Sequence, residues 1–130
     1  MQQVTYLRTQ LFGLLLVIAL FSGCAVVVVG AAAGGGMAFV RGKLVKNLDY
    51  SVEQVHKATL AAAKKFDYFI TADELNRHSA KIAGTDDEGK KLTVDIDALT
   101  EKASQIEVRF GVFGDDEKST DFLKEVESQL

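Results

Sequence analysis

The 130-residue chain contains no proline, no tryptophan, one cysteine and two histidines. A lone Cys excludes an internal disulfide and any multi-thiolate zinc or iron–sulfur site. The basic excess typical of nucleic-acid binders is also missing, because 15 Lys and Arg stand against 18 Asp and Glu, a net charge of −3. Nucleic acid is therefore not an expected partner. The length allows one domain and little more. Charge itself is unevenly spread: residues 11–40 carry none, and no acidic side chain precedes Asp49. A hydrophobic leader followed by a polar domain is the organisation this implies.

Residues 1–23 have the layout of a bacterial export signal. A polar start holding Arg8 precedes the apolar stretch Leu11–Phe21, which runs into Phe21-Ser22-Gly23-Cys24. Small residues before a Cys at the end of an apolar run resemble a lipobox, with Phe21 where that pattern prefers Leu, Val or Ile. The resemblance implies cleavage between Gly23 and Cys24, a diacylglyceryl group on the Cys24 sulfur, and acylation (palmitate) of the new amine. Ala25 in place of Asp after the Cys implies sorting to the outer membrane, with the domain on its periplasmic face.

Cys24–Gly36 reads as a Val/Ala/Gly-rich, membrane-proximal tether, whose 13 residues reach at most ~45 Å at ~3.5 Å each. A competing reading is an uncleaved membrane protein, since residues 11–40 exceed the ~20 needed to span a bilayer. Gly30-Ala-Ala-Ala-Gly34 would then suit helix–helix oligomerisation. Against it, Arg41, Lys43 and Lys46 would crowd the exported end, contrary to the positive-inside bias.

Residues 37–130 form the expected domain. Met37–Asp49 alternates, with Val40, Leu44 and Leu48 facing one way and Arg41, Lys43 and Asn47 the other, hence a strand. Ser51 with Gln54 three residues later makes a capping box, and Tyr50 and Val55 can form a hydrophobic staple. Val52, Val55, Thr59, Ala62, Ala63 and Phe66 then recur at helical spacing, with His56 at the edge of the stripe. Four strands follow: a short one with Tyr68 and Ile70; one with Ala80 and Ile82; one with Leu92, Val94, Ile96 and Ala98; and one with Ile106, Val108, Phe110 and Val112. Asp86-Asp87-Glu88-Gly89 forms the turn between the second and third of these. Asp115, Asp116 and Glu117 open a final helix by capping and by the dipole, and Phe122, Leu123, Val126 and Leu130 are its apolar stripe. The order β-α-β-β-β-β-α predicts an α+β two-layer sandwich, an antiparallel sheet with both helices on one face. It matches the topology grouped with the TATA-binding protein, an analogy without functional content.

The chain also resembles a family of small bacterial lipoproteins defined only as domain of unknown function 3568. The resemblance rests on Gly23-Cys24 with its spacer, Ala38-Phe39-Val40-Arg41-Gly42-Lys43-Leu44, and Ser79-Ala80-Lys81-Ile82-Ala83-Gly84 leading through an acidic turn into Lys90-Lys91-Leu92-Thr93-Val94. It continues through Ile106-Glu107-Val108-Arg109-Phe110-Gly111 into Phe113-Gly114-Asp115. It implies no activity, catalytic residue or cofactor.

Residue chemistry points the same way. His56 and His78 have no Cys, His or carboxylate at metal-ligand spacing. Asp86-Asp87-Glu88 lacks the alternating ligands of a calcium loop. No Ser has a nucleophile-elbow context. No catalytic, metal or cofactor site is therefore expected. The outward sheet face, carrying Arg41, Lys43, Lys81, Asp95, Asp97, Glu107 and Arg109, reads either as a solvated charge ladder or as a docking surface for an envelope protein. Phe69 and Phe113 break the inward alternation and are either exposed anchors or turned inward by a bulge or loop. The resulting expectation is a membrane-anchored envelope lipoprotein, lipid-bound through acylated Cys24, acting as a non-catalytic binding or structural module. A small envelope hydrolase or modifying enzyme is the alternative, and a recess holding two perturbed carboxylates would favour it.

Overall fold

The computed structural model describes residues 36–130. The export signal, the Gly23–Cys24 junction and the small-residue segment Gly30–Gly34 lie outside the described residues.

Eight elements follow one another: β1 (Ala38–Val40), β2 (Lys43–Leu48), α1 (Val52–Lys65), β3 (Phe69–Leu75), β4 (Ser79–Thr85), β5 (Lys91–Thr100), β6 (Ala103–Phe110) and α2 (Asp116–Ser128). The strands form one six-stranded sheet in the order β1-β2-β6-β5-β4-β3, every pairing antiparallel. This is the expected α+β architecture, with its first strand folded into a hairpin. Arg41 and Gly42 both hold positive φ, 52° and 78°, the two-residue turn whose twist suits a tight hairpin. The turn reverses the alternation, so Val40 pairs with Lys43 on the outward face rather than with Leu44 in the core.

Local signals account for the helices. Ser51 Oγ accepts from the Gln54 amide at 3.3 Å, and the Ser51 amide donates to Gln54 Oε1 at 3.1 Å, completing the capping box. The end of α1 is closed by two bonds, Tyr68 N–H to the Ala63 carbonyl at 2.9 Å and Asp67 N–H to the Lys64 carbonyl at 3.2 Å. Asp67 takes the left-handed conformation this closure requires, φ 58°. In α2, Asp115 accepts from the Lys118 amide at 3.0 Å.

The core lies between the helices and one sheet face. Leu44, Leu48, Ile82, Leu92, Val94, Ile96, Ile106, Val108 and Phe110 meet Val52, Val55, Ala62 and Ala63 of α1 and Phe122, Leu123 and Val126 of α2. Both helices thus cover the same face. Burial of each such aliphatic or aromatic side chain contributes about 1.5–3 kcal/mol. Edge-to-face rings link the layers: Phe66–Phe122 at 5.4 Å, Phe122–Phe110 at 5.5 Å and Phe110–Tyr68 at 5.5 Å between centroids.

Two strand limits differ from expectation. Val112, assigned to the last strand by alternation, lies beyond Phe110 in an exposed loop. The short strand expected at Tyr68 and Ile70 is the longer β3, which begins one residue after the buried Tyr68 and is exposed along its length. As an edge strand it has no fully buried face, so its sequence does not alternate cleanly. A bulge between Ile70 and Ala72 twists this edge, which discourages further strand pairing.

Candidate functional site

The outward sheet face is built by cross-strand register. Glu107 lies opposite Asp95, Asp95 opposite Lys81, and Lys81 opposite Glu74, giving one row across β6, β5, β4 and β3. Asp97 sits in the next row, between Gln105 and Ser79. Two carboxylates directly opposite each other, as Asp95 and Glu107 are, would repel. Lys43 resolves this, with Nζ 2.8 Å from Glu107 Oε2 and 3.7 Å from Asp95 Oδ2. Lys81 approaches Asp95 from the other side at 3.8 Å. The hydrogen bond to Glu107 raises the Lys43 pKa above its ordinary value, against the opposing effect of partial burial. Among the described residues, Asp97 and Glu74 have no ion-pair partner. A shallow depression of about 350 Å³ joins these groups with Asn76 and Ser79. Its carboxylates outnumber its ammonium groups, so the face presents residual negative charge.

Two of the expected face residues lie elsewhere in effect. Arg41 occupies the tip of the β1–β2 hairpin and is exposed. Arg109 turns its guanidinium toward the loop after β6, donating to the Val112 carbonyl, while its Nε is buried without a hydrogen-bond partner among the described residues. Lys43, Lys81, Asp95, Asp97 and Glu107 do come together. Glu74, in β3, and Asn76, just past its end, were not legible as members, because the chain there lies beyond the segment where alternation could be read.

On the helix side, His56 Nε2 and Asp73 Oδ1 are 2.6 Å apart, joining α1 to the edge strand β3. His78 is exposed and borders a recess of about 620 Å³ beside the start of α1, together with Ser51, Glu53, Arg77 and Glu101. Among the described residues there is no group of three His, Cys, Asp or Glu placed to hold a metal ion. No described helix is long and apolar enough to cross a membrane. The Tyr68 phenol is pushed up to about 12, chiefly by burial and then by the nearby Asp86 carboxylate, whose Oδ2 it meets at 3.4 Å. Phe69 and Phe113, the two residues out of step with the core pattern, are both exposed, Phe113 at 91%.

Comparison with curated proteins gave no match. A family model described as a protein of unknown function (DUF3568) matches residues 7–129, which includes every element of the sheet and both helices. The chain belongs to the DUF3568 family.

Proposed function

We propose that this protein is an envelope lipoprotein, anchored through acylated Cys24 on the periplasmic side of the outer membrane, whose open sheet face binds a basic segment of an envelope protein. The anchor half is supported by the uncharged run that ends at Gly23-Cys24. The binding half is carried by one observation: on a face left bare by both helices, Asp97 and Glu74 flank a neutralised Lys43–Glu107–Asp95–Lys81 network without cations of their own. Their charge is unspent within the fold and is available to a partner, where complementary potential steers association. The module acts by binding rather than by catalysis.

The two halves have separate tests. Cys24→Ala should abolish acyl labelling and either leave the precursor uncleaved or release the domain from membranes, since anchoring by two or more chains is stable. Retained processing with an unlabelled wild type would refute the anchor. For the face, Asp97→Asn combined with Glu74→Gln removes the two unpaired charges, sets no like charge opposite Lys81, and should change stability by no more than ~0.5 kcal/mol. Envelope crosslinks formed by wild type should be lost in this variant. Persisting crosslinks would refute the docking role and leave the face as a solvated charge ladder.

A further inference from the structure

β3 is the outermost strand of the sheet, and the pattern of its ladder fixes which backbone groups it leaves open. The Asn76 amide donates to the Ser79 carbonyl at 2.8 Å, so the turn at Arg77-His78 closes on a hydrogen-bonded pair. In an antiparallel ladder such pairs alternate with non-bonded ones. Glu74–Lys81 and Ala72–Ala83 are therefore bonded pairs, and Leu75–Ala80 and Asp73–Ile82 are not. The other side of β4 agrees, because the His78 carbonyl accepts from the Ala98 amide at 2.8 Å, which gives the even positions of β4 to β5 and the odd ones to β3. Asp73 and Leu75 thus aim their amides and carbonyls away from the sheet. The bulge between Ile70 and Ala72 blunts the start of this edge, but the register from Ala72 to Leu75 is unbroken. That leaves room for one short segment and not for a second sheet.

The side chains of the same stretch say what would add there. Glu74 lies on the outward face, in the row of Lys81 and Asp95, and has no ion-pair partner among the described residues. Asp73 points to the helix side, where it meets His56. Leu75 shares that side, opposite the core residue Ala80, and is half exposed. An added strand would bond to Asp73 and Leu75 and set its intervening residue directly opposite Glu74, in a non-bonded pair with Cα atoms ~4.5 Å apart. A basic residue there continues the change of sign that runs Asp95, Lys81, Glu74. Its two neighbours fall on the helix side, one of them against Leu75, where an apolar side chain fits. A second copy of β3 is a poor match, since Phe69–Leu75 holds two carboxylates and no cation and would bring like charges together.

We propose that β3 receives the basic segment as an added edge strand, paired through the backbones of Asp73 and Leu75, with a Lys or Arg opposite Glu74 and apolar neighbours on the helix side. The proposal rests on the reading of the acidic face as a docking surface, and adds the conformation and pattern of what docks there: extended, with basic and apolar residues in alternation.

A short end-blocked peptide of alternating valine and lysine, carrying a fluorophore, tests this by anisotropy with the full chain in detergent. Its valine amides would bond to Asp73 and Leu75, and its lysine amides would point to solvent. N-methylation of the valines should weaken binding about tenfold or more, through loss of the backbone bonds, whereas N-methylation of the lysines should leave it unchanged. Charge and side chains are the same in both peptides. Glu74→Gln should weaken binding of the parent peptide about two- to fivefold. Equal binding by the two methylated peptides overturns strand addition and leaves the acidic face as the docking surface. Loss on the methylated lysines alone overturns the register that sets a basic residue opposite Glu74. Failure of the parent peptide to bind overturns the proposal outright, and so do crosslinked dimers of the full chain that the peptide disperses, which would place a second copy on the edge. If Asp97→Asn with Glu74→Gln binds the parent peptide as wild type does while methylated valines still abolish binding, the charge reading of the face is refuted and the edge pairing stands.

Discussion

The contact of the Arg41–Gly42 turn with the loop between β6 and α2 makes a quantitative prediction for Gly114→Ala. Gly114 has φ +83°, and an alanine methyl there would lie 2.1 Å from the Gly42 oxygen and 2.6 Å from its Cα. Two costs follow. Positive φ in a residue with a Cβ costs roughly 1–2 kcal/mol. Crowding of rigid backbone is comparable to overpacking in a core, roughly 1–3 kcal/mol. Gly89 separates them, because it has nearly the same φ, +78°, yet nothing within 4 Å of its hypothetical Cβ. Gly89→Ala should therefore show the first cost alone, and Gly114→Ala should lose a further ~1–3 kcal/mol. For a domain of this size that difference is ~5–20 °C in Tm. Thermal unfolding of the full chain in detergent, followed by far-ultraviolet circular dichroism, measures it. If the two variants melt together, the turn and the loop do not touch.

Other perturbations probe the core and its polar exceptions. Phe122 is fully buried between Phe66 and Phe110, so Phe122→Ala should cost about 3–5 kcal/mol in a denaturant titration; a loss below about 1 kcal/mol would contradict the ring stack. Ser119 Oγ is buried with no hydrogen-bond partner among the described residues. Ser119→Ala should raise stability by about 0.5–2 kcal/mol, through relief of desolvation and better helix propensity, and a destabilised variant would mean the hydroxyl has a partner. Burial holds the Tyr68 proton in the folded state up to about pH 12, against 10 for an ordinary phenol. The folded state binds more protons than the unfolded state across that window, so the stability tied to this group is fully present below pH 10 and is lost as pH rises toward 12. Wild type should lose stability relative to Tyr68→Phe in that interval only; parallel pH profiles would refute the assignment.

Much of the fold was legible because its signals are local. The helix starts are written in Ser51–Gln54 and Asp115–Lys118, side chains that satisfy amides within one turn of themselves. Strands β5 and β6 were readable from alternation, because helices cover one of their faces and solvent the other. The split into an uncharged leader and a charged domain needs no structure at all. Residues whose position depends on distant partners were not legible. Lys46 points to the helix side of β2, where Glu127 of α2 receives it, a pairing across 81 positions.

The candidate surfaces divide along the same line. Alternation placed Lys43, Lys81, Asp95, Asp97 and Glu107 on one face, and the sheet order then decided which touch. Because β2 pairs with β6 rather than with its sequence neighbour β3, Lys43 stands beside Glu107 and reaches Asp95, while Glu74 closes the row from the far edge. The contact of the Gly42 turn with the Gly114 loop needed tertiary structure entirely. Gly42 signalled a turn and Gly111 and Gly114 signalled a break, but these turns are some 70 residues apart in the chain, and loop closure over such a span leaves no periodic trace in sequence. What the sequence determined by itself are properties of one turn or one strand. What the tertiary structure decided are the meetings of Lys43 with Glu107, His56 with Asp73 and Gly42 with Gly114, because only the packed sheet brings those distant segments together.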